Sequence, residues 1–509
     1  MSRRFAAILV VTLLLMAAPA GAQSALPGGI GSGPQAVGFR ILTVEDATRI
    51  TGGRAPVASR AANRARTLRV HVWYPAKAAG TPLTIADYLE IAAPSTATHR
   101  QDMPRTMGMT LDEREWTAYT GFRMTASRDA APAVGAFPLI VGMLRPVSVA
   151  ASAEHLASHG YVVAYVERQP REIVLAEGLE REALILSEHV RDMEVAIARL
   201  RREPFVDPAR LGAHGFSGDG LAQLVLAMRH PDVDAVALLE TGWLSPAQVS
   251  SYQEMTAHDP LALRAPLLYA YSENLGRNTN EHIADITGMR YAPRSLLYLG
   301  EPKMTHWDFA TEGMVLASVL DQRAPSRDAL ARASQAIYNY QRTFFDAYVK
   351  GDAAAIARIA ETPSFPSGGS MIELTHMPAI EPALSRAELQ GLLSADLAAA
   401  MTRARADLAR DPNALVFEEA WLNQTGYMLL QRNQQDAAIA LLTLAGEAHP
   451  QSANTFDSLS EILETAGRKA DALAAAERGL ALLPGDTAVP APQRPALEAG
   501  LRARIARLR

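Results

Sequence analysis

The stretch Leu211-Gly-Ala-His-Gly-Phe-Ser-Gly-Asp-Gly-Leu221 carries the sharpest signal in this chain of 509 residues. Its first half is a short apolar run, residues 211–215, that predicts a strand. From Gly220 the pattern becomes helical through residue 228. A serine at so sharp a strand-to-helix turn is held with its hydroxyl exposed above a sheet edge. The turn is tight, so the positions flanking it favour glycine, here Gly215, Gly218 and Gly220. The strict Gly-x-Ser-x-Gly pattern fails at Asp219. An acidic side chain beside a developing oxyanion is tolerable only if it points away, for example onto the start of the following helix. Ser217 is a candidate nucleophile; the competing reading is an ordinary glycine-rich turn.

Outward from this turn, apolar runs alternate with helical stretches. Strands are expected at 39–44, 67–73, 137–142, 161–166, 211–215, 235–239, 266–271 and 295–299. Helices are expected at 150–158, 182–202 and 220–228. This alternation predicts an α/β domain, a mostly parallel sheet with helices on both faces, over residues 37–325. Residues 75–132 are less regular and read as an insertion near the active face. Residues 23–36 are rich in Gly, Pro and Ser and read as a flexible lead-in.

Composition narrows the chemistry. Hydrophobic residues make up 49% and charged residues 20%, a globular balance. The net charge of -5 argues against a nucleic-acid partner. The absence of cysteine excludes disulfides, thiolate metal sites and a cysteine nucleophile. No metal-binding or dinucleotide motif is seen in its required context, so no cofactor is expected. Residues 1–22 read as a bacterial export signal: Arg3 and Arg4, an apolar run, then Ala20-Gly21-Ala22. The expected location is periplasmic or extracellular, with no membrane span left after cleavage and no cysteine for a lipid anchor.

A serine nucleophile needs a base and a group that orients the base, in the chain order Ser, acid, His on such a sheet. His230, His258, His282 and His306 follow Ser217. His230 ends the helix after the turn, and His258 and His282 lie in polar helical surroundings. His306 lies in Lys303-Met-Thr-His-Trp-Asp-Phe309, just past the last expected strand, where the base belongs. Glu240 and Glu273 each end a strand, where open α/β sheets place their sites; spacing does not choose between them. Asp308 is too close in sequence to His306 to be the obvious partner.

The block 137–309 resembles the α/β-hydrolase superfamily, and within it the platelet-activating-factor acetylhydrolase and dienelactone-hydrolase-like esterases. The matching pieces are Leu156-Ala-Ser-His-Gly-Tyr-Val-Val-Ala-Tyr-Val-Glu167, the turn at Ser217, Val236-Ala-Leu-Leu-Glu-Thr-Gly-Trp243 and His306-Trp-Asp-Phe309. The resemblance implies a serine ester hydrolase acting on a small, acyl or lipid-like ester. It favours Glu240, with Glu273 as the alternative acid, because in that family the acid follows the strand after the turn's helix. It implies an oxyanion site made by the Gly218 backbone N–H and a second N–H from Met143 or Leu144 in the loop Gly142-Met-Leu-Arg-Pro146. That loop lacks the family's usual His-Gly pair.

After residue 323 only helices are expected, around a turn-rich piece at 362–378: a helical connector over 326–410 and a helical-repeat domain over 411–509. Leu429 and Leu463, Asn433 and Gly467, Ile439 and Leu473, and Pro450 and Pro484 are each 34 residues apart. A helix–turn–helix unit of this period resembles tetratricopeptide repeats, with Ala438 and Ala472 where paired helices approach closely. Such a surface suits a protein partner. Asp219 and the altered loop 142–146 motivate a competing expectation, a degenerate hydrolase-fold domain carried beside this docking surface and serving only for interaction.

Overall fold

A computed structural model describes residues 26–50, 65–92, 96–167, 178–242, 259–273, 279–361 and 372–509. The export signal, His258 and Trp243 fall outside these residues, as does the side chain of His282. The chain divides into two compact units, the first ending at Ala379 and the second running from Ile380 to Arg509.

Eight of the strands described in the first unit overlap the expected apolar runs; Pro82–Thr84, Arg123–Arg128 and Ile372–Met377 were not expected. The strands are β1 (Ala36–Ile50), β2 (Ala65–Ala76), β3 (Pro82–Thr84), β4 (Arg123–Arg128), β5 (Phe137–Met143), β6 (Val162–Val166), β7 (Val206–Phe216), β8 (Ala235–Leu239), β9 (Leu267–Ser272), β10 (Arg294–Leu299) and β11 (Ile372–Met377). Among the described residues they form one eleven-stranded sheet in the order β11-β10-β9-β8-β7-β5-β6-β2-β1-β4-β3. From β6 to β10 all neighbours are parallel.

Both faces of this central sheet are covered. Ala235, Ala237 and Leu239 of β8 enter one core, with helix α4 (Pro146–Ser158) and the helices Thr311–Val319 and Arg327–Tyr348. Val236 and Leu238 enter the other, against α5 (Gly178–Leu200) and α6 (Gly220–Arg229). Two-sided burial explains why these strands read as unbroken apolar runs and not as alternations. Strand order, parallel sense and the serine turn after β7 together make this an α/β-hydrolase fold.

Strand order reverses at β5, which lies between β6 and β7. A crevice forms at such a reversal, outside the carboxyl ends of the strands. Phe216 pairs with Leu239, and Leu239 with Ala270, so the residues following β7, β8 and β9 emerge side by side.

Several expectations are corrected. Residues 26–35 of the lead-in are packed: Leu26 and Ile30 are buried, Gln335 donates to the Gly28 carbonyl, and Gly33 N–H donates to Ser158. The insertion is regular, with helices α1 (Ile85–Ala92), α2 (Thr96–Thr106) and α3 (Glu113–Thr120) between β3 and β4. Strands do not stop near residue 323, because β11 adds antiparallel to β10. The helices Arg327–Tyr348 and Ala353–Arg358, expected in a connector, belong to the first unit and its core.

The second unit is helical and has its own core. Helices Glu419–Gln431 and Gln435–Ala448 recur as Ala453–Thr465 and Lys469–Leu482, each boundary shifted by 34 residues (453 − 419, 469 − 435). Asn433 and Gly467 turn the chain within each pair at φ of +64° and +74°. Ala438 and Ala472 are fully buried, and Leu442 packs where a Cβ on Gly426 would fall.

Glu154 is a buried carboxylate that ties three elements of the first unit. It accepts from Tyr88 Oη of α1 at 2.6 Å, from Thr125 N and Oγ1 at 2.6 Å each, and from Ala126 N at 3.0 Å. Burial pushes its carboxyl pKa up, and these donors oppose the shift. Glu154→Ala strands several buried donors. We expect a loss of about 3 kcal/mol or more in urea unfolding, with Glu154→Gln milder because it keeps an acceptor.

Candidate active site

The turn after β7 forms as the glycines require. Ser217 has φ +58°, a left-handed conformation costly for a residue with a side chain. A Cβ on Gly215 would lie 2.4 Å from the Gly220 Cα, and one on Gly220 would lie 2.1 Å from Thr241 Oγ1. The strand end and the helix start therefore pack backbone to backbone, and the Thr241 side chain of the loop after β8 packs directly on the helix start. Asp219 is buried at the N-cap position of α6, but its side chain makes no cap hydrogen bond to that helix, contrary to expectation.

His306 and Ser217, 89 residues apart in sequence, meet at 2.9 Å between Nε2 and Oγ. With the imidazole proton on Nδ1, the Ser217 hydroxyl donates to Nε2. Phe216 stacks on the His306 ring at 4.8 Å. Burial lowers the His306 pKa to about 4. The loop carrying His306 is fixed from below. Asp308 accepts from Thr305 N at 2.7 Å and from Thr305 Oγ1 at 2.8 Å, and pairs with Arg323. Trp307 Nε1 donates to the Thr106 carbonyl at 2.8 Å, joining this loop to the end of α2. Asp308 is thus a structural anchor of the loop, and the Thr-x-x-Asp spacing of a capping box was its legible sign.

Both glutamates stand at strand ends, in different surroundings. Glu240 is fully buried and accepts from Ser272 N and Oγ at 2.9 Å each. Burial raises its pKa to about 7, against these two bonds. Glu273 is exposed and accepts from Tyr298 Oη at 3.0 Å. Among the described residues, neither carboxylate makes a hydrogen bond or ion pair with His306. His230 ends α6 and bonds Glu194.

One polar residue escaped the sequence reading. Gln223 is fully buried in α6. Oriented so that both ends of its amide are satisfied, it accepts from Met143 N–H at 2.8 Å and donates to the Asp219 carbonyl. With its N–H engaged in this way, Met143 is not free to serve as the second oxyanion donor expected of it. A lone glutamine in Gly-Leu-Ala-Gln-Leu-Val-Leu-Ala-Met was the available signal, since buried polar groups must be paired. No metal-type cluster of His, Asp and Glu occurs among the described residues.

No protein-family model matches the chain, and no curated protein sequence does. Among solved structures, a ferulic acid esterase from Streptomyces cinnamoneus is similar at 22% identity, covering 69% of this chain and 96% of that one, with a TM-score of 0.46. The fold assignment rests on strand order and on the turn at Ser217.

The close approach at Gly220 generates a direct test. Gly220→Ala is expected to cost about 1–3 kcal/mol of stability through overpacking. It should also displace Ser217 from His306. Thermal melting and labelling by a serine-directed fluorophosphonate read the two effects separately.

Proposed function

We propose that this protein is an exported serine hydrolase of carboxylic esters, with Ser217 as nucleophile, His306 as general base and Glu240 as the acid that orients His306. The observation that carries this reading is the Ser217–His306 hydrogen bond at a strained turn above the sheet edge. Ser217 Oγ attacks the acyl carbon while its proton passes to His306 Nε2. The tetrahedral adduct collapses to an acyl-enzyme, and the departing alcohol takes that proton. Water then attacks the acyl-enzyme by the same relay, releasing the acid and restoring Ser217. The backbone N–H groups of Gly218 and Leu144 are the proposed oxyanion donors. Glu240 is preferred to Glu273 because it is buried beside the β7 end, whereas Glu273 is exposed and turned to Tyr298.

The apolar rings of Phe216 and Trp307 beside His306 suit an apolar acyl group, as in a small or lipid-like ester. The 34-residue recurrence in the second unit supports a tetratricopeptide-like surface for a protein partner, and residues 1–22 are read as a removed signal. A non-catalytic interaction protein is the alternative, favoured because, among the described residues, neither Glu240 nor Glu273 bonds His306.

A fluorophosphonate probe is expected to label the wild type and not Ser217→Ala. His306→Ala should lower turnover of p-nitrophenyl acetate by at least about 1,000-fold. Unlabelled wild type with no turnover would leave the interaction protein as the better reading.

The acid limb of kcat/KM has a definite sign. A carboxyl raised to about 7 ionises as pH rises, and only its charged form stabilises an imidazolium. Activity should therefore climb through pH 7 and level off above it. Glu240→Gln should lower activity and remove that inflection, leaving the limb of His306 near pH 4. Glu273→Gln should keep the inflection; the reverse outcome reassigns the acid.

A further inference from the structure

The loop after β5 has to hold a backbone N–H toward the substrate without a His-Gly pair to shape it. Its base is unusually supported. The ladder between β5 and β7 ends at the Val141–Ala213 pair, short of Met143 at the strand end. A Cβ on Gly142 would lie 2.5 Å from the His214 carbonyl oxygen, so the two strand ends touch directly. Beyond that contact the Gln223 amide takes over. It accepts from Met143 N–H at the root of the loop and donates to the carbonyl of Asp219, which closes the turn containing Ser217. Met143 and Gln223 are both fully buried, so water cannot replace either bond.

We infer that Gln223 is a positioning residue that sets the distance between the two oxyanion donors, Gly218 N–H on the turn and Leu144 N–H on the loop. The inference rests on the serine-hydrolase reading and goes beyond it. One amide bridges the two segments that each contribute a donor. A leucine or methionine of similar size would fill the space but leave Met143 N–H without its acceptor, and nothing would then tie the loop to the turn. The loop would then be free to shift, and a shift of about 1 Å is enough to spoil such a site. Glutamate at this position can replace the amide only while protonated, because a carboxylate accepts from Met143 but repels the Asp219 carbonyl.

The test uses the full-length protein with p-nitrophenyl acetate as substrate and an alkyl trifluoromethyl ketone as the tetrahedral-adduct mimic. Gln223→Leu is expected to lower kcat roughly 100-fold, the order set by loss of one oxyanion donor, with little change in KM. Ketone affinity should weaken in parallel. Gln223→Glu should match wild-type kcat at acidic pH and fall progressively below it as pH rises. A merely structural role would lower melting temperature without that pH-dependent gap. A Gln223→Leu protein with kcat within a few-fold of wild type, or a Gln223→Glu profile parallel to wild type, overturns the inference while leaving the hydrolase reading intact. Failure of the probe to label wild-type Ser217 removes the hydrolase reading and this inference together.

Discussion

The left-handed backbone at Ser217 is the constraint on which the rest of the site depends. A non-glycine residue at φ +58° costs of order 1–3 kcal/mol and persists only where its surroundings over-determine it. Here they do. Residues 211–216 of β7 are buried, α6 is buried along most of its length, and Gly215, Gly220 and Thr241 leave no room for another path. The hydroxyl is thus aimed at one point above the sheet edge. The loop after β10 brings His306 to that point, locked by Thr305, Asp308 and Arg323 beneath it.

Burial then tunes the groups gathered there. His306 is drawn down to about 4 and Glu240 up to about 7, both chiefly because a low-dielectric surrounding disfavours charge. A neutral imidazole facing a serine hydroxyl is the resting form that a general base requires. The same physics holds Glu154 in its cage of donors and keeps His214, beneath the turn, neutral with its pKa near 3. Buried polar groups in the first unit tie elements together. Gln223 is the clearest case, since its amide joins strand, loop and turn.

Much of the fold was legible because two-sided burial writes itself into sequence as unbroken apolar runs. Strands β5 to β10 follow such runs, and α4, α5 and α6 overlap the stretches read as helical. Legibility failed where burial is one-sided or slight. Strand β11, Ile-Glu-Leu-Thr-His-Met, is an edge strand with exposed alternate residues, and its pairing partner lies far back in the chain. The helices of the insertion owe their order to packing on the first core, through residues such as Tyr88 and Tyr119. The lead-in looked flexible from its glycines, yet Leu26 and Ile30 anchor it.

The sequence by itself determined the turn at Ser217, the α/β alternation, the histidine after the last parallel strand and the 34-residue helical period. Each is a local pattern, set by backbone sterics or by the periodicity of burial. Only the tertiary structure decided the contacts that cross the sheet edge: Ser217 with His306, Glu240 with Ser272, and Gln223 between Met143 and Asp219. Those pairings depend on how parallel strand ends line up. Hydrogen bonds act over about 3 Å, a distance that spacing along the chain does not encode.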